Sequence, residues 1–341
     1  MEAAGRDWSE LPLDALMLVF ARLGPVEILM GSGLVCRSWL QAAKEPELWR
    51  SVDMANHRVV EEMKGDVLYA MAKLAVDRSM GQLEVFLGKY FVTDELLKYL
   101  GARSASLKIL SLTSCHEVSN KGFTELIIKF PLLEELEISL FTNIDGKHVF
   151  EEVGKACPEL KRFRFNRYRF HEFAEYSDDD DSEFKYNKDD NALGIASMHG
   201  LRSLQLFGNN FTNEGLAAIL DNCPHLESLD IRHCFNIVMD DALRAKCATI
   251  KTLRLPYDST DGYGLQFEGP IWPGSGLGFD SDSDDCVYGG PDYILDSDEY
   301  DDYCDPLRYL DGVHESELGP EHRMFLKGMR MLMRDDSDDG Y

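Results

Sequence analysis

The chain has 341 residues, 44% of them apolar, with a formal net charge of −26, which predicts a globular protein of one large or two modest domains. So acidic a balance argues against phosphate-backbone binding, which needs lysine and arginine to displace counterions, and nucleic acid is not an expected partner. No apolar run nears the length that crosses a bilayer and no charged start leads into an apolar segment, so no membrane span is expected, and the expected location is intracellular, nucleus and/or cytoplasm.

The charge is unevenly placed. Residues 171–191 hold nine acids and two bases, residues 257–341 hold twenty-two acids and five bases, and the remainder is nearly neutral. The pattern is a folded body with acidic appendages. Eight cysteines without a CxxC pair predict reduced thiols; neither a disulfide framework nor a metal or other cofactor site is expected.

In residues 7–50, Leu16, Val19, Phe20 and Leu23 recur at i, i+3, i+4 and i+7, one stripe of a helix. Gly24 ends it and Pro25 suits the first position of a second helix, while a third helical run carries Val35, Trp39, Leu40 and Ala43. Three short helices cannot bury much core alone and need something to pack against. Leu11-Pro12, the Leu16/Val19/Phe20/Leu23 helix, Val35-Cys36-Arg37-x-Trp39 and the closing Leu48-Trp49 resemble an F-box. The resemblance implies docking onto the Skp-type adaptor of an SCF ubiquitin ligase. It places Leu11, Pro12, Leu16, Val19, Phe20, Leu23, Val35, Cys36 and Trp39 at adaptor-facing or supporting positions. Gly31 and Gly33 depart from the better helix formers usual there, at about 1 kcal/mol each relative to alanine.

Residues 51–82 read as a linker helix, with Val60, Met63, Val67, Met71 and Leu74 at spacings of three and four. A repeat follows over 83–256: LEVFLG at Leu83, LKILSL at Leu107, LEELEI at Leu133, LKRFRF at Leu160, LRSLQL at Leu201, LESLDI at Leu226 and IKTLRL at Ile250, with starts 24, 26, 27, 41, 25 and 24 residues apart. One insertion, within 171–191, explains the long interval. Thr93, Ser119, Asp145, Thr212 and Asp240 each follow an apolar residue and are expected to cap a helix in the second half of a unit. Cys-Pro-x-Leu at Cys157 and Cys223, and Cys115 and Cys234 at the LxxLxLxxC position, complete a resemblance to the cysteine-containing leucine-rich repeat found behind F-boxes. These cysteines are expected in the core.

The expected fold is therefore α/β: a three-helix F-box, then a short solenoid of about seven units with parallel strands on its concave side and helices on its convex side. Alternation along each strand turns the non-leucine positions outward. Candidate substrate-facing residues are Glu135 and Glu137; Arg162, Arg164 and Asn166; Ser203, Gln205 and Phe207; Asp230 and Arg232. Arginine forks suit carboxylate and phosphate, so Arg162 and Arg164 are either one side of a salt-bridge ladder with Glu135 and Glu137 or a docking strip for an acidic or phosphorylated segment. The insertion is either a solvated loop or an acidic competitor for those arginines.

Residues 257–318 read as an acidic, disordered tract. DSDSDD at 280–285 lacks the glycine and glutamate of a calcium loop, so calcium is rejected. Ser177, Ser281 and Ser337 have acids downstream, as acid-directed kinases prefer. Residues 319–336 read as an amphipathic basic helix with Phe325, Met329, Leu332 and Met333 on one face, and 337–341 as an acidic terminus. No nucleophile, base and orienter stand at a recognisable spacing, so the chain is expected to be non-catalytic. The similarity to small plant F-box/leucine-rich-repeat proteins implies a substrate receptor of an SCF-type ligase, with adaptor, cullin and RING subunits on one side and a protein substrate on the other. The alternatives are an acidic scaffold or chaperone that binds basic proteins without ligase activity, and a repeat receptor for a small molecule.

Overall fold

The computed structural model describes residues 8–141, 143–167 and 189–259. The expectations for most of the insertion, for Ser177, the calcium-like run, the acidic tract from residue 260 and the basic helix lie outside them. Eight strands form one parallel sheet in sequential order: β1 (Ser51–Asp53), β2 (Val85–Gly88), β3 (Ile109–Thr113), β4 (Glu135–Ser139), β5 (Arg162–Asn166), β6 (Ser203–Gln205), β7 (Ser228–Asp230) and β8 (Thr252–Arg254). Parallel neighbours need a crossover. The helices α4 (Gly65–Arg78), α5 (Asp94–Gly101), α6 (Asn120–Ile127), α7 (Lys147–Ala156), α8 (Asp190–Ile195), α9 (Asn213–Asn222) and α10 (Asp241–Lys246) lie in the successive crossovers. The register places like positions side by side, with Leu112 beside Ile138, Ile138 beside Phe165, and Leu204 beside Leu229.

The stack is one strand longer than the seven LxxLxL runs. β1 pairs with β2 through Ser51↔Val85 and Asp53↔Leu87, inside the stretch read as linker helix. Three residues are too few to show a period. The helix of that stretch runs only from Gly65, after a 3-10 turn at Arg58–Glu61. The N-terminal module holds α1 (Leu13–Leu23), α2 (Pro25–Met30) and α3 (Arg37–Ala42). Its buried Leu16, Phe20, Ile28 and Trp49 join the same apolar core as Val52, Phe86 and the repeat leucines. The small module is therefore stabilised by the sheet it caps.

Two devices recur between units. At the ends of β3 and β4, and just beyond β6 and β7, Ser114, Leu140, Gly208 and His233 adopt φ of 55°, 61°, 70° and 62°. Each donates its backbone N–H to the next unit, as Ser114 does to the Ser139 carbonyl at 2.9 Å and Leu140 to Asn166 at 2.7 Å. A left-handed residue other than glycine costs about 1–2 kcal/mol, so these corners persist because the stack holds them. The next residue turns inward and bonds the preceding unit: Cys115 Sγ donates to the Lys89 carbonyl at 3.3 Å, Asn209 Nδ2 to Phe165 at 2.6 Å and Cys234 Sγ to Leu206 at 2.7 Å.

The second device joins helix starts. Thr93, Ser119, Thr212 and Asp240 cap their helices through the side chain. Asp94 accepts from both N–H and hydroxyl of Ser119, at 2.9 and 2.6 Å, and Asp189 does the same for Thr212. A methyl group on Gly122 or Gly215 would lie 1.9 Å from Asp94 Oδ1 or 2.2 Å from Asp189 Oδ1, which is why glycine stands there. Asp145 differs from its expected role. The cap position of α7 is Gly146 at φ 101°, and the Asp145 carboxylate instead accepts from Arg167 at 2.6 Å and from Asn191.

Candidate functional site

The first candidate surface is the N-terminal module. Helix α1 is apolar nearly all round, and only one side is spent on the core: Leu16 and Phe20 are buried, while Leu18 is 71% exposed and Val19 and Leu23 are both 39% exposed. Trp8, Leu13 and Val35 add further exposed apolar area, and Pro12 is exposed beside them. Phe20 packs its ring edge-to-face on Trp39, centroids 5.4 Å apart. Trp39 Nε1 donates to the Trp8 carbonyl at 3.0 Å and Ser38 to the Ser9 carbonyl at 2.9 Å, so the N-terminal turn is tied to α3. The predicted positions thus separate. Leu16 and Phe20 support the module, Leu11, Cys36 and Trp39 are half-buried, and Pro12, Val19, Leu23 and Val35 are presented to solvent.

Sequence reading passed over Trp8, Leu13 and Leu18, although a helix hydrophobic on all sides signals a second partner. Gly33 is likewise no defect. It is buried in a 3-10 turn, and a Cβ there would lie 2.8 Å from the Ile28 carbonyl and 2.9 Å from Ala43. Gly31 has φ −178°, open to any residue.

The second candidate surface is the face of the sheet opposite the helices. Register sets Glu135 beside Arg162 and Glu137 beside Arg164. Arg162 pairs with Glu135, and Arg164 with Glu137 at 3.2 Å. Glu137 also accepts from Ser111 at 3.1 Å and Ser139 at 2.8 Å. The arginine side chains stay about half exposed, at 56% and 51%. Ser203, Gln205 and Asp230 continue the row half-buried, and Val85, Leu87 and Ile109 form its apolar beginning.

Three predicted members leave this surface. Asn166, Phe207 and Arg232 are 1%, 2% and 4% exposed. Asn166 donates to Ser139 at 2.8 Å and accepts from the Phe207 N–H at 3.2 Å; Arg232 closes a fork on Asp230 at 2.7 and 3.0 Å; Phe207 lies against His233 at 4.5 Å. Alternation points such positions outward only while the strand runs straight: a left-handed residue directly follows Phe207 and Arg232, and Asn166 is enclosed by its bonds to Ser139 and the Phe207 N–H.

The described cysteines are free thiols. Burial pushes the thiols of Cys115, Cys157 and Cys234 up to about 12 and that of Cys223 up to about 11. They are hydrophobic packing rather than nucleophiles. Among the described residues no three histidine, cysteine or acidic side chains gather as a metal site, and no helix is long and apolar enough to cross a membrane.

Comparison with known proteins agrees with both halves. An F-box-like family model matches residues 8–55, and a leucine-rich-repeat model matches 198–220 and 222–234. The chain is 41% identical over 265 residues to F-box/LRR-repeat protein 22 of Arabidopsis thaliana, covering 75% of this chain and 79% of that one. The chain belongs to the plant F-box/leucine-rich-repeat family. Against the F-box protein SKIP19 of Arabidopsis thaliana it is 39% identical over 256 residues, covering 74% of this chain and 78% of the relative. F-box/LRR-repeat protein 23 of the same plant is 42% identical over 258 residues, and there the chain spans only 55% of the relative's length. In F-box/leucine-rich-repeat terms, the apolar surface of α1 belongs to the F-box and the Glu/Arg ladder to the repeats.

Proposed function

We propose that this chain is the substrate-recognition subunit of an SCF-type ubiquitin ligase, acting inside the cell. The observation that carries it is the second apolar side of α1, with Leu18, Val19 and Leu23 exposed beside Trp8, Pro12, Leu13 and Val35. A monomer gains nothing from presenting such a set, and burying it under a Skp-type adaptor recovers the hydrophobic term. The repeat face then carries a protein substrate on Glu135, Glu137, Arg162, Arg164, Ser203, Gln205 and Asp230. The chemistry belongs to the cullin and RING side of the assembly; this chain contributes proximity and orientation.

The test is co-purification of the full chain with a Skp-type adaptor at two salt concentrations, wild type beside Leu18→Ala. The expected result is a stoichiometric, salt-resistant complex that the variant weakens. No complex with folded wild type overturns the ligase reading, and a salt-sensitive capture of basic proteins in its place favours the acidic scaffold.

A further inference from the structure

The second position of each LxxLxL run forms a row along one rim of the sheet: Glu84, Lys108, Glu134, Lys161, Arg202, Glu227 and Lys251. The signs alternate, and adjacent members pair: Lys108 with Glu84 at 3.3 Å, Lys161 with Glu134 at 2.9 Å, Arg202 with Glu227 at 3.2 Å and Lys251 with Glu227 at 2.7 Å. Lysine neighbours hold the Glu134 and Glu227 carboxyls below the usual range. Such cross-strand pairing of opposite charge favours the sheet, and like charges side by side oppose it.

The alternation fails at one seam. Lys161 and Arg202 are adjacent in the row, the Arg202 N–H donating to the Lys161 carbonyl at 2.8 Å, with no acidic member of the row between them. Each leans on a glutamate on its far side, and Glu227 is shared with Lys251. At the same seam lies a cleft of about 210 Å³ whose wall includes Lys161, Arg202 and His225. Glu159 also lines it, exposed and without an ion pair to either cation among the described residues. Elsewhere on the rim neighbouring members carry opposite charge; here two cations, each paired with one glutamate on its far side, stand next to each other at an opening.

We propose that this cleft binds a phosphomonoester dianion. Its volume is below that of pockets for drug-sized ligands, which suits a single head group. A phosphomonoester brings close to two negative charges at neutral pH and three strong acceptor oxygens. Arg202 offers a planar fork, Lys161 an ammonium and His225 an imidazole, donor types that suit those acceptors once the two cations turn from their glutamates. The bound dianion sets a negative charge between two like-charged neighbours of the row and completes the alternation. The site uses none of the exposed F-box residues and neither Arg162 nor Arg164, so it stands apart from the proposed ligase role.

Titration calorimetry on the purified full chain tests it, with inorganic phosphate and a phosphoserine peptide beside its unphosphorylated form, all at equal ionic strength. The expected result is saturable binding that falls at least tenfold in Arg202→Gln and in Lys161→Gln. Tighter binding of the phosphopeptide than of inorganic phosphate assigns the site to a phosphorylated protein segment, and the reverse to the free anion. Wild type without saturable binding, or variants that bind equally, overturn the proposal. Should a rim variant fail to fold, His225→Asn, changed at an exposed side chain, carries the same comparison. General stabilisation by phosphate as a kosmotrope persists in every variant and is told apart by that.

Discussion

The F-box module and the repeats solve opposite problems. Helix α1 has more apolar surface than its own fold can cover, so Leu18, Val19 and Leu23 remain outside while Leu16 and Phe20 fill the core. The repeats bury their leucines almost completely, and the polar side chains on the open face are engaged with one another, Arg164 with Glu137 and Glu137 with Ser111 and Ser139. A partner meets a bare hydrophobic surface on the first and a closed polar network on the second. Affinity at the module comes from burial, whereas recognition on the repeats has to exchange existing ion pairs for new ones, which favours selectivity over strength.

The largest expected effect falls where the two regions join. Trp49 is fully buried and donates its Nε1–H to the Ala43 carbonyl at 3.0 Å. Trp49→Ala should cost about 3–5 kcal/mol in urea unfolding, and retention of wild-type stability would show that the module and sheet do not share a core. Leu18→Ala should leave that unfolding midpoint unchanged while lowering adaptor affinity more than tenfold, about 2 kcal/mol, by titration calorimetry. Equal affinity would move the interface off α1. Within the repeats, Gly122→Ala should cost about 1–3 kcal/mol by driving Asp94 off Ser119, and the companion Asp94→Ala should remove most of that difference.

The buried thiols supply a pH test of the repeats alone. Their folded pKa values, about 11 to 12, stand above the ordinary value of 9.0, so the unfolded chain releases those protons first. Their stabilising contribution is complete below pH 9 and is lost as pH rises toward 12. In native protein at pH 8, alkylation followed by mass spectrometry should spare Cys115, Cys157, Cys223 and Cys234. The smallest effect is expected at Glu137→Gln, about 0–1 kcal/mol in stability, because its Arg164 partner is half exposed and an amide oxygen still accepts from a serine hydroxyl. If the ladder masks Arg164, that variant should bind an acidic peptide more tightly than wild type, read by fluorescence anisotropy at low salt.

The repeat was legible because LxxLxL recurs seven times, and each recurrence demands the same apolar layer. The caps at Thr93, Ser119, Thr212 and Asp240 were legible for a similar local reason, a hydroxyl or carboxylate two or three residues from the N–H it accepts. Asp145 satisfies the same local rule and is claimed elsewhere, by Arg167 and Asn191, because a charged partner outbids a backbone N–H. The first strand, only three residues, carried no periodic signal and exists because β2 offers it an edge.

On the candidate surfaces the division is the same. Sequence alone determined which residue types occupy the F-box positions, and that Glu135 and Glu137 precede Arg162 and Arg164 by one repeat, since spacing and periodicity are local properties of the chain. Tertiary structure decided which side of α1 the core consumed, which glutamate each arginine meets, and that Asn166, Phe207 and Arg232 are inside. These depend on the register between strands and on the left-handed corners at Ser114, Leu140, Gly208 and His233, where a residue's direction is set by the neighbouring unit rather than by its own sequence.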